Sequence, residues 1–234
     1  VDRLHRDFVA NASHELRTPL ASIKVMTESL LNGALDDREL GRRFVQSIAE
    51  SAERLTALVD DLLFLAVREA GHTEEGAVVD VDAVAQSVAE KLQPAAAKRG
   101  IALECEAASG AQVAGDPTDV WRAIANLVDN AIRYTDPGGR AKITTRARED
   151  RVEIEVEDTG IGIAAEHQQM VFERFFRVDV VRSRESGGTG LGLSIVRQIV
   201  RSLGGDVSLR STLGEGSTFT ITLPRLKQEE APGV

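Results

Sequence analysis

Two long apolar stripes of helical period, separated by a single Asn-Gly break, do most to limit what this chain can fold into. Leu4, Phe8, Ala12, Leu16, Leu20, Ile23 and Leu30 mark the first stripe, mostly at three- or four-residue spacings. Asn32-Gly33 stops that pattern, and Asp36-Asp37 can cap the next helix. Leu40, Phe44, Ile48, Leu55, Leu58, Leu62 and Leu65 then repeat the stripe. Two long helices on a short loop make an antiparallel hairpin, which cannot bury both stripes well by itself. Two copies packed as a four-helix bundle would cover them, so the sequence predicts a homodimer. Packing of the hairpin on a second domain of its own chain stays open.

The first stripe carries His14 beside Glu15, with Thr18 one turn on and Pro19 directly after. Proline lacks an N–H, and its ring meets the carbonyl four residues back, here that of Glu15. The helix is therefore expected to bend or loosen beside His14. That imidazole is a candidate covalent phosphate carrier. A zinc-protease H-E-x-x-H reading fails because position 18 is threonine. His5, His72 and His167 lack ligand spacing and suit surface or packing roles.

With 234 residues, 42% hydrophobic and 28% charged, the chain reads as one or two globular domains. Lys+Arg 28 against Asp+Glu 37 gives net −9, which argues against a nucleic-acid footprint. Cys105 is alone, so no intrachain disulfide forms, and a reducing, cytoplasmic setting fits. No apolar run approaches the roughly 18 residues of a membrane span, and no signal peptide is visible. The chain opens already inside a helical pattern and reads as a portion of something longer.

The stretch around Ala70–Gly76 is polar and glycine-bearing, so the expected division is 1–70, a linker over 71–77, and a second domain over 78–226. Residues 227–234 read as a disordered tail. Helices are expected over 82–98, 117–134 and 191–203, and strands over 101–106, 142–148, 152–157, 206–210 and 217–223. Segregated runs of this kind predict an α+β chain whose second domain is an α/β sandwich, with helices on one face of a mixed sheet.

Within the second domain, Asn126, Asn130 and Arg133 share one helical face, opposite Leu127, Val128, Ala131 and Ile132. Asparagine is a poor helix-interior residue, and amide oxygens suit Mg²⁺ alongside substrate phosphates. Two solvated or capping asparagines would be the plainer account of this helix alone. Asp158-Thr-Gly160-Ile161-Gly162 follows a strand; the glycines let backbone approach a ligand while the carboxylate accepts from an amino group. A bare turn is equally consistent with that segment. Gly187-Gly188-Thr189-Gly190-Leu191-Gly192 opens a helix whose free N–H groups favour phosphate. The spacing is not the Rossmann fingerprint, and no P-loop motif occurs. Between them, Phe172, Phe175 and Phe176 precede Arg177 and the polar stretch 179–186, as in an anchored loop over a nucleotide.

The ordered set resembles the bacterial sensor histidine kinases. His14-Glu-Leu-Arg-Thr-Pro is similar to their H box and Asn126–Tyr134 to their N box. Asp158–Gly162 resembles the first glycine box, Phe172–Phe176 the F box and Gly188–Gly192 the second glycine box, and the likeness runs from about Phe8 to Pro224. The resemblance implies a dimeric phosphotransfer bundle followed by a Bergerat-type (GHKL) ATPase domain, with ATP and Mg²⁺ as cofactors. It implies that His14 accepts the γ-phosphoryl group, Glu15 serves as acid/base partner, and Thr18 orients water for phosphatase activity. Asn130 and Asn126 would hold Mg²⁺, Arg133 and Arg177 would reach phosphate, and Tyr134 would lie against the nucleotide. Asp158 would read the adenine amino group, while Gly160, Ile161, Gly162, Gly188, Thr189, Gly190, Leu191 and Gly192 would shape pocket and lid. Arg133 stands where many relatives carry lysine. The implied partners are a second copy and a response-regulator receiver domain. Membrane contact is expected only through a sensor region absent from this chain. A chaperone-type ATPase, an anti-sigma-type serine kinase or a non-enzymatic scaffold would have no use for His14.

Overall fold

The computed structural model describes residues 2–69, 76–178 and 188–226, with side chains in the first stretch from Phe8 to Val67. The predicted linker up to residue 75, the stretch 179–187 and the tail 227–234 lie outside the described residues, as does His72. The chain divides into two compact units, one helical and one α/β, described in turn.

In the helical unit, α1 (Asp2–Ser29) and α2 (Arg38–Glu69) pack along each other. The Asn-Gly break works as its residues require. A short π turn over Leu30–Ala34 ends in Asn32 and in Gly33 at φ +112°, a conformation that only glycine adopts cheaply. Asp37, rather than Asp36, caps α2, its Oδ1 accepting from the N–H groups of Glu39 and Leu40, each at 3.0 Å. α1 runs through Pro19 without interruption, so the expected loosening does not break the helix. Within one hairpin the stripes are only partly covered. Ala12, Leu30, Leu58 and Leu65 are buried, whereas Leu20 and Leu40 stay exposed, as do Val25, Leu31 and Leu63 outside the stripes.

The α/β unit begins with a strand the sequence did not announce. β1 (Ala77–Asp80) pairs antiparallel with β3 (Gln112–Gly115) in a separate two-stranded sheet. The main sheet has the order β2-β4-β5-β7-β6, built from β2 (Ala102–Glu106), β4 (Arg140–Ala147), β5 (Arg151–Asp158), β6 (Asp206–Thr212) and β7 (Gly216–Pro224). Only β2–β4 is parallel, so the sheet is mixed as predicted. The helices are α3 (Val81–Lys98), α4 (Pro117–Tyr134) and α5 (Gly192–Ser202), each within one residue of its predicted ends.

Alternation along the strands decides which face the helices cover. Val152, Ile154 and Val156 of β5, with Phe219, Ile221 and Leu223 of β7, are buried. The opposite face carries ion pairs such as Arg148 with Glu153 and Arg146 with Glu155. α4 lays Ile124, Leu127, Val128, Ala131 and Ile132 against the buried face, all at 3% exposure or less. Each such aliphatic side chain contributes about 1.5–3 kcal/mol, and a Leu127→Ala cavity would cost about 2–5 kcal/mol. Asp116 caps α4 through Thr118 N–H at 2.7 Å, with Pro117 in the first turn, where a missing N–H is harmless.

Candidate functional site

His14 and Thr18 lie exposed on α1, and Glu15 between them is half-buried. Thr18 Oγ1 donates to the carbonyl of His14 at 3.3 Å, the local back-bond open to a helical threonine. These three belong to the helical unit, with which residues 188–191 also group, whereas the other predicted nucleotide residues belong to the α/β unit.

Asn126 and Asn130 occupy successive turns of α4, half-buried on the side away from its apolar stripe. A β-carbon on Gly192, the first residue of α5, would sit 3.1 Å from Asn126 Oδ1. The first asparagine of the N box and the last glycine of the second glycine box are therefore direct neighbours. Ahead of α5, Leu191 N–H donates to Thr189 Oγ1 at 3.2 Å, so Thr189 satisfies one of the free donors at this helix entrance. Gly188 and Gly190 flank it, half-buried.

Arg133 shares the face of the asparagines, as predicted, but its guanidinium is engaged within the helix. Its Nη2 lies 2.5 Å from Asp129 Oδ2, one turn back. Arg99 Nη2 donates to the carbonyl of Arg133 at 3.0 Å and so secures the end of α4. Tyr134, the last residue of that helix, is 36% exposed.

The first glycine segment docks onto the end of α4. Ile161 N–H donates to the Tyr134 carbonyl at 3.1 Å, and the Ile161 carbonyl accepts from Gly214 N–H at 2.7 Å. Gly162 sits at φ +65°, and a β-carbon there would overlap the carbonyl oxygen of Thr212. Glycine is needed at this point for both conformation and space.

Asp158 ends the apolar alternation of β5 as a carboxylate that is only 8% exposed. Its Oδ1 accepts from Gly160 N–H at 2.8 Å, and the Ser217 backbone also donates to the carboxylate. Burial is the largest influence and holds its pKa above the usual carboxylate range, against those two hydrogen bonds.

Ser217 and Ser211 escaped the sequence reading. Sheet register sets Asp158 opposite Ser217, and Ser217 opposite Ser211, in one row across three strands. Ser217 is 7% exposed, and its hydroxyl lies 3.0 Å from that of Ser211. A signal was present. Asp158, Ser217 and Ser211 each continue an apolar alternation (152-154-156, 219-221-223 and 207-209), so each falls on the covered face.

The aromatic segment anchors beside this row. Phe172 is buried edge-on against Phe219, with ring centroids 6.1 Å apart. Phe176 faces His167 at 5.9 Å, which gives that histidine a packing role. Phe175 takes the left-handed conformation at φ 62°, and Arg177 beyond it is half-buried.

The donor set fits a magnesium nucleotide. Asn126 and Asn130 offer neutral hard oxygens beside the start of α5, a donor type that suits Mg²⁺ next to phosphate, while Gly160 and Gly162 let the Tyr134 and Thr212 carbonyls approach where a β-carbon would collide.

Comparison with known proteins agrees with this assembly. Residues 4–71 match the His Kinase A (phospho-acceptor) domain, and residues 115–227 match the histidine kinase-, DNA gyrase B-, and HSP90-like ATPase family. The sensor-like histidine kinase SenX3 of Mycolicibacterium smegmatis is 41% identical over 232 residues, covering 99% of this chain. The chain spans 60% of that relative's length. The solved mycobacterial sensor histidine kinase MprB is 30% identical, covers 64% of this chain and 97% of its own, and has a TM-score of 0.57. The Acinetobacter baumannii histidine kinase AdeS is 25% identical, covers 90% of this chain and 97% of its own, and has a TM-score of 0.72. With its phospho-acceptor hairpin followed by an ATPase domain, the chain belongs to the two-component sensor histidine kinases.

Proposed function

We propose that this chain is the catalytic portion of an autophosphorylating protein histidine kinase, in which ATP phosphorylates His14 and an aspartate of a response-regulator receiver domain then takes the phosphoryl group. The observation that carries this reading is that one chain holds an exposed His14 on α1 and, in its α/β unit, Asn126 against Gly192 and a buried Asp158 held by Gly160 N–H. Phosphoryl transfer rests on positioning and electrostatic stabilisation, and imidazole near neutrality is a competent nucleophile.

In this reading Asn130 and Asn126 hold Mg²⁺, which neutralises phosphate charge. Asp158 accepts from the adenine amino group, and Tyr134 lies against the nucleotide. Gly160, Ile161 and Gly162 form the pocket wall, Gly188, Thr189, Gly190, Leu191 and Gly192 form its phosphate side, and Arg133 and Arg177 supply positive charge. Glu15 is the acid/base partner on α1. Thr18 orients water for dephosphorylation of the regulator.

The exposed part of the hairpin stripe supports a homodimeric four-helix bundle. Leu16, Leu20, Leu55 and Val59 line an open apolar groove that a second hairpin would cover. Among the described residues no helix is long and apolar enough to cross a membrane. The proposed setting is the cytoplasmic portion of a protein whose sensor region supplies any membrane anchor. The proposed first domain remains 1–70, and the pairing of Ala77 with Gly115 moves the proposed start of the second, 78–226, to residue 77.

The test is incubation of the chain with Mg²⁺ and γ-labelled ATP. Acid-labile, base-stable label is expected, and His14→Gln should abolish it. Label that persists in the variant would overturn the assignment of His14.

A further inference from the structure

One row on the helix-covered face of the sheet is polar, Asp158–Ser217–Ser211, and counting protons along that row has a chemical consequence. Ser211 has one hydroxyl proton. Its Oγ donates to the Gly216 carbonyl at 2.8 Å and accepts from Ile163 N–H at 2.8 Å. A backbone carbonyl only accepts and a backbone N–H only donates, so both assignments are fixed by chemistry. The 3.0 Å contact with Ser217 Oγ is then satisfied by Ser217 donating to Ser211. Ser217 has no further proton. Its register partner is Asp158, whose carboxylate its backbone N–H already meets, and toward that partner its hydroxyl has lone pairs alone to offer.

Ser211 is itself held from both sides. Gln168 Nε2 donates to the Ile163 carbonyl at 3.0 Å and to the Ser211 carbonyl at 2.9 Å. The segment leading to the aromatic anchor is thereby tied to β6 at the residue that sets the Ser217 proton.

We propose that Ser211 is a specificity-determining positioning residue of the nucleotide pocket: by fixing Ser217 as an acceptor beside Asp158, it selects a 6-amino purine over a 6-oxo purine. This rests on the reading of Asp158 as the carboxylate that meets adenine. An amino group at purine position 6 brings donors to two acceptors. A 6-oxo group brings a third acceptor, and lone pairs face lone pairs with no proton between them. Removing the Ser211 hydroxyl returns the Ser217 proton to the pocket, where it can donate to a 6-oxo group.

The experiment measures dissociation constants of the full chain for MgATP and for Mg-inosine triphosphate, which differ at position 6. The wild type should prefer ATP. Ser211→Ala should lower the ATP:ITP preference by about fivefold, the worth of one hydrogen bond, while Ser211→Thr keeps it. Should Ser211→Ala fail to fold, Ser217→Ala reports on the same acceptor and should lower the ratio likewise. General damage to the pocket weakens both nucleotides equally, so an unchanged ratio in the serine variants overturns the proposal. Asp158→Asn separates the two levels. If it changes the ratio while the serine variants do not, the adenine reading stands and the role of Ser211 falls. If it leaves the ratio unchanged, the reading and the proposal fall together.

Discussion

Gly160 and Tyr134 are in backbone contact: a β-carbon on Gly160 would overlap the Tyr134 carbonyl oxygen and lie 2.8 Å from Asp158 Oδ1. That same carbonyl receives Ile161 N–H, so the end of α4 and the glycine segment share one acceptor. Backbone cannot swing aside as a long side chain can. Gly160→Ala is therefore expected to displace the segment and its bond to Asp158. MgATP affinity should fall by more than about tenfold, on the order of one lost charge-assisted hydrogen bond, with a lowered melting temperature. Calorimetric titration and thermal unfolding check both, and wild-type affinity would show that the contact is not tight.

Asp158 yields a pH prediction whose two halves have opposite signs. Burial raises its folded-state pKa above the unfolded value, so its stability contribution is present below the unfolded pKa and is lost as pH rises through the folded one. At neutral pH the buried carboxylate costs stability. Asp158→Asn, which keeps an acceptor for Gly160 N–H, should leave the nucleotide-free melting temperature equal or higher at pH 7. Nucleotide binding needs the charged acceptor and should weaken on acidification, starting above the ordinary aspartate range. The Asn variant should bind ATP weakly at every pH. A variant that melts lower at pH 7 without nucleotide would contradict the sign.

Asp82 behaves in the contrary way. Burial pushes its carboxyl up, but hydrogen bonds from Thr145 Oγ1 at 2.5 Å, Gly110 N–H at 2.6 Å and Ser109 Oγ at 2.8 Å together pull it below the usual range. The contribution is present above the unfolded pKa and lost as pH falls through the folded value. Thr145→Val removes a donor that joins β4 to the start of α3. The expected loss is about 1 kcal/mol at pH 7, the low end for a partly solvated charged hydrogen bond. Denaturant titrations at pH 7 and pH 3 should show the difference shrinking in acid.

These residues mark how far the sequence could be read. Pro117, Asn32-Gly33 and the alternation of 152-154-156 act within a few residues, and so they predicted α4, the hairpin turn and β5. β1 and β3 escaped because each has four residues and finds its partner more than thirty positions away. Asp158 was legible because glycines follow it directly. For Ser211 and Ser217 the alternation gave the covered face and no more, since strand register alone sets them in one row with a buried carboxylate.

Asp129 holds the Arg133 guanidinium that the proposed function turns toward phosphate. The carboxylate competes with phosphate for one cation and adds negative charge near the asparagines. Asp129→Asn should strengthen MgATP binding about two- to fivefold at low salt, the scale of one partly screened charge interaction. The gain should vanish in an Arg133→Gln background. Equal gains in both backgrounds would show that Asp129 acts on the nucleotide directly rather than through Arg133.

Thr18 presents a conflict between its local bond and its proposed task. Its hydroxyl donates to the His14 carbonyl, a weak 3.3 Å back-bond on an exposed helix face. To orient a water at a receiver aspartyl phosphate, that hydroxyl must leave the carbonyl. At this length the bond costs little to break, and the carbonyl keeps its place in the helix. Thr18→Ala should therefore spare autophosphorylation at His14 while slowing dephosphorylation of the regulator about a hundredfold, the low end for a lost group that positions and relays a proton. Thr18→Ser retains the hydroxyl and should retain most of the activity. The two rates are measured separately, one as label gained on the kinase and the other as label lost from a purified phospho-regulator. Parallel loss of both in Thr18→Ala would mean that the substitution disturbs α1 itself, and the separate role of Thr18 would fall.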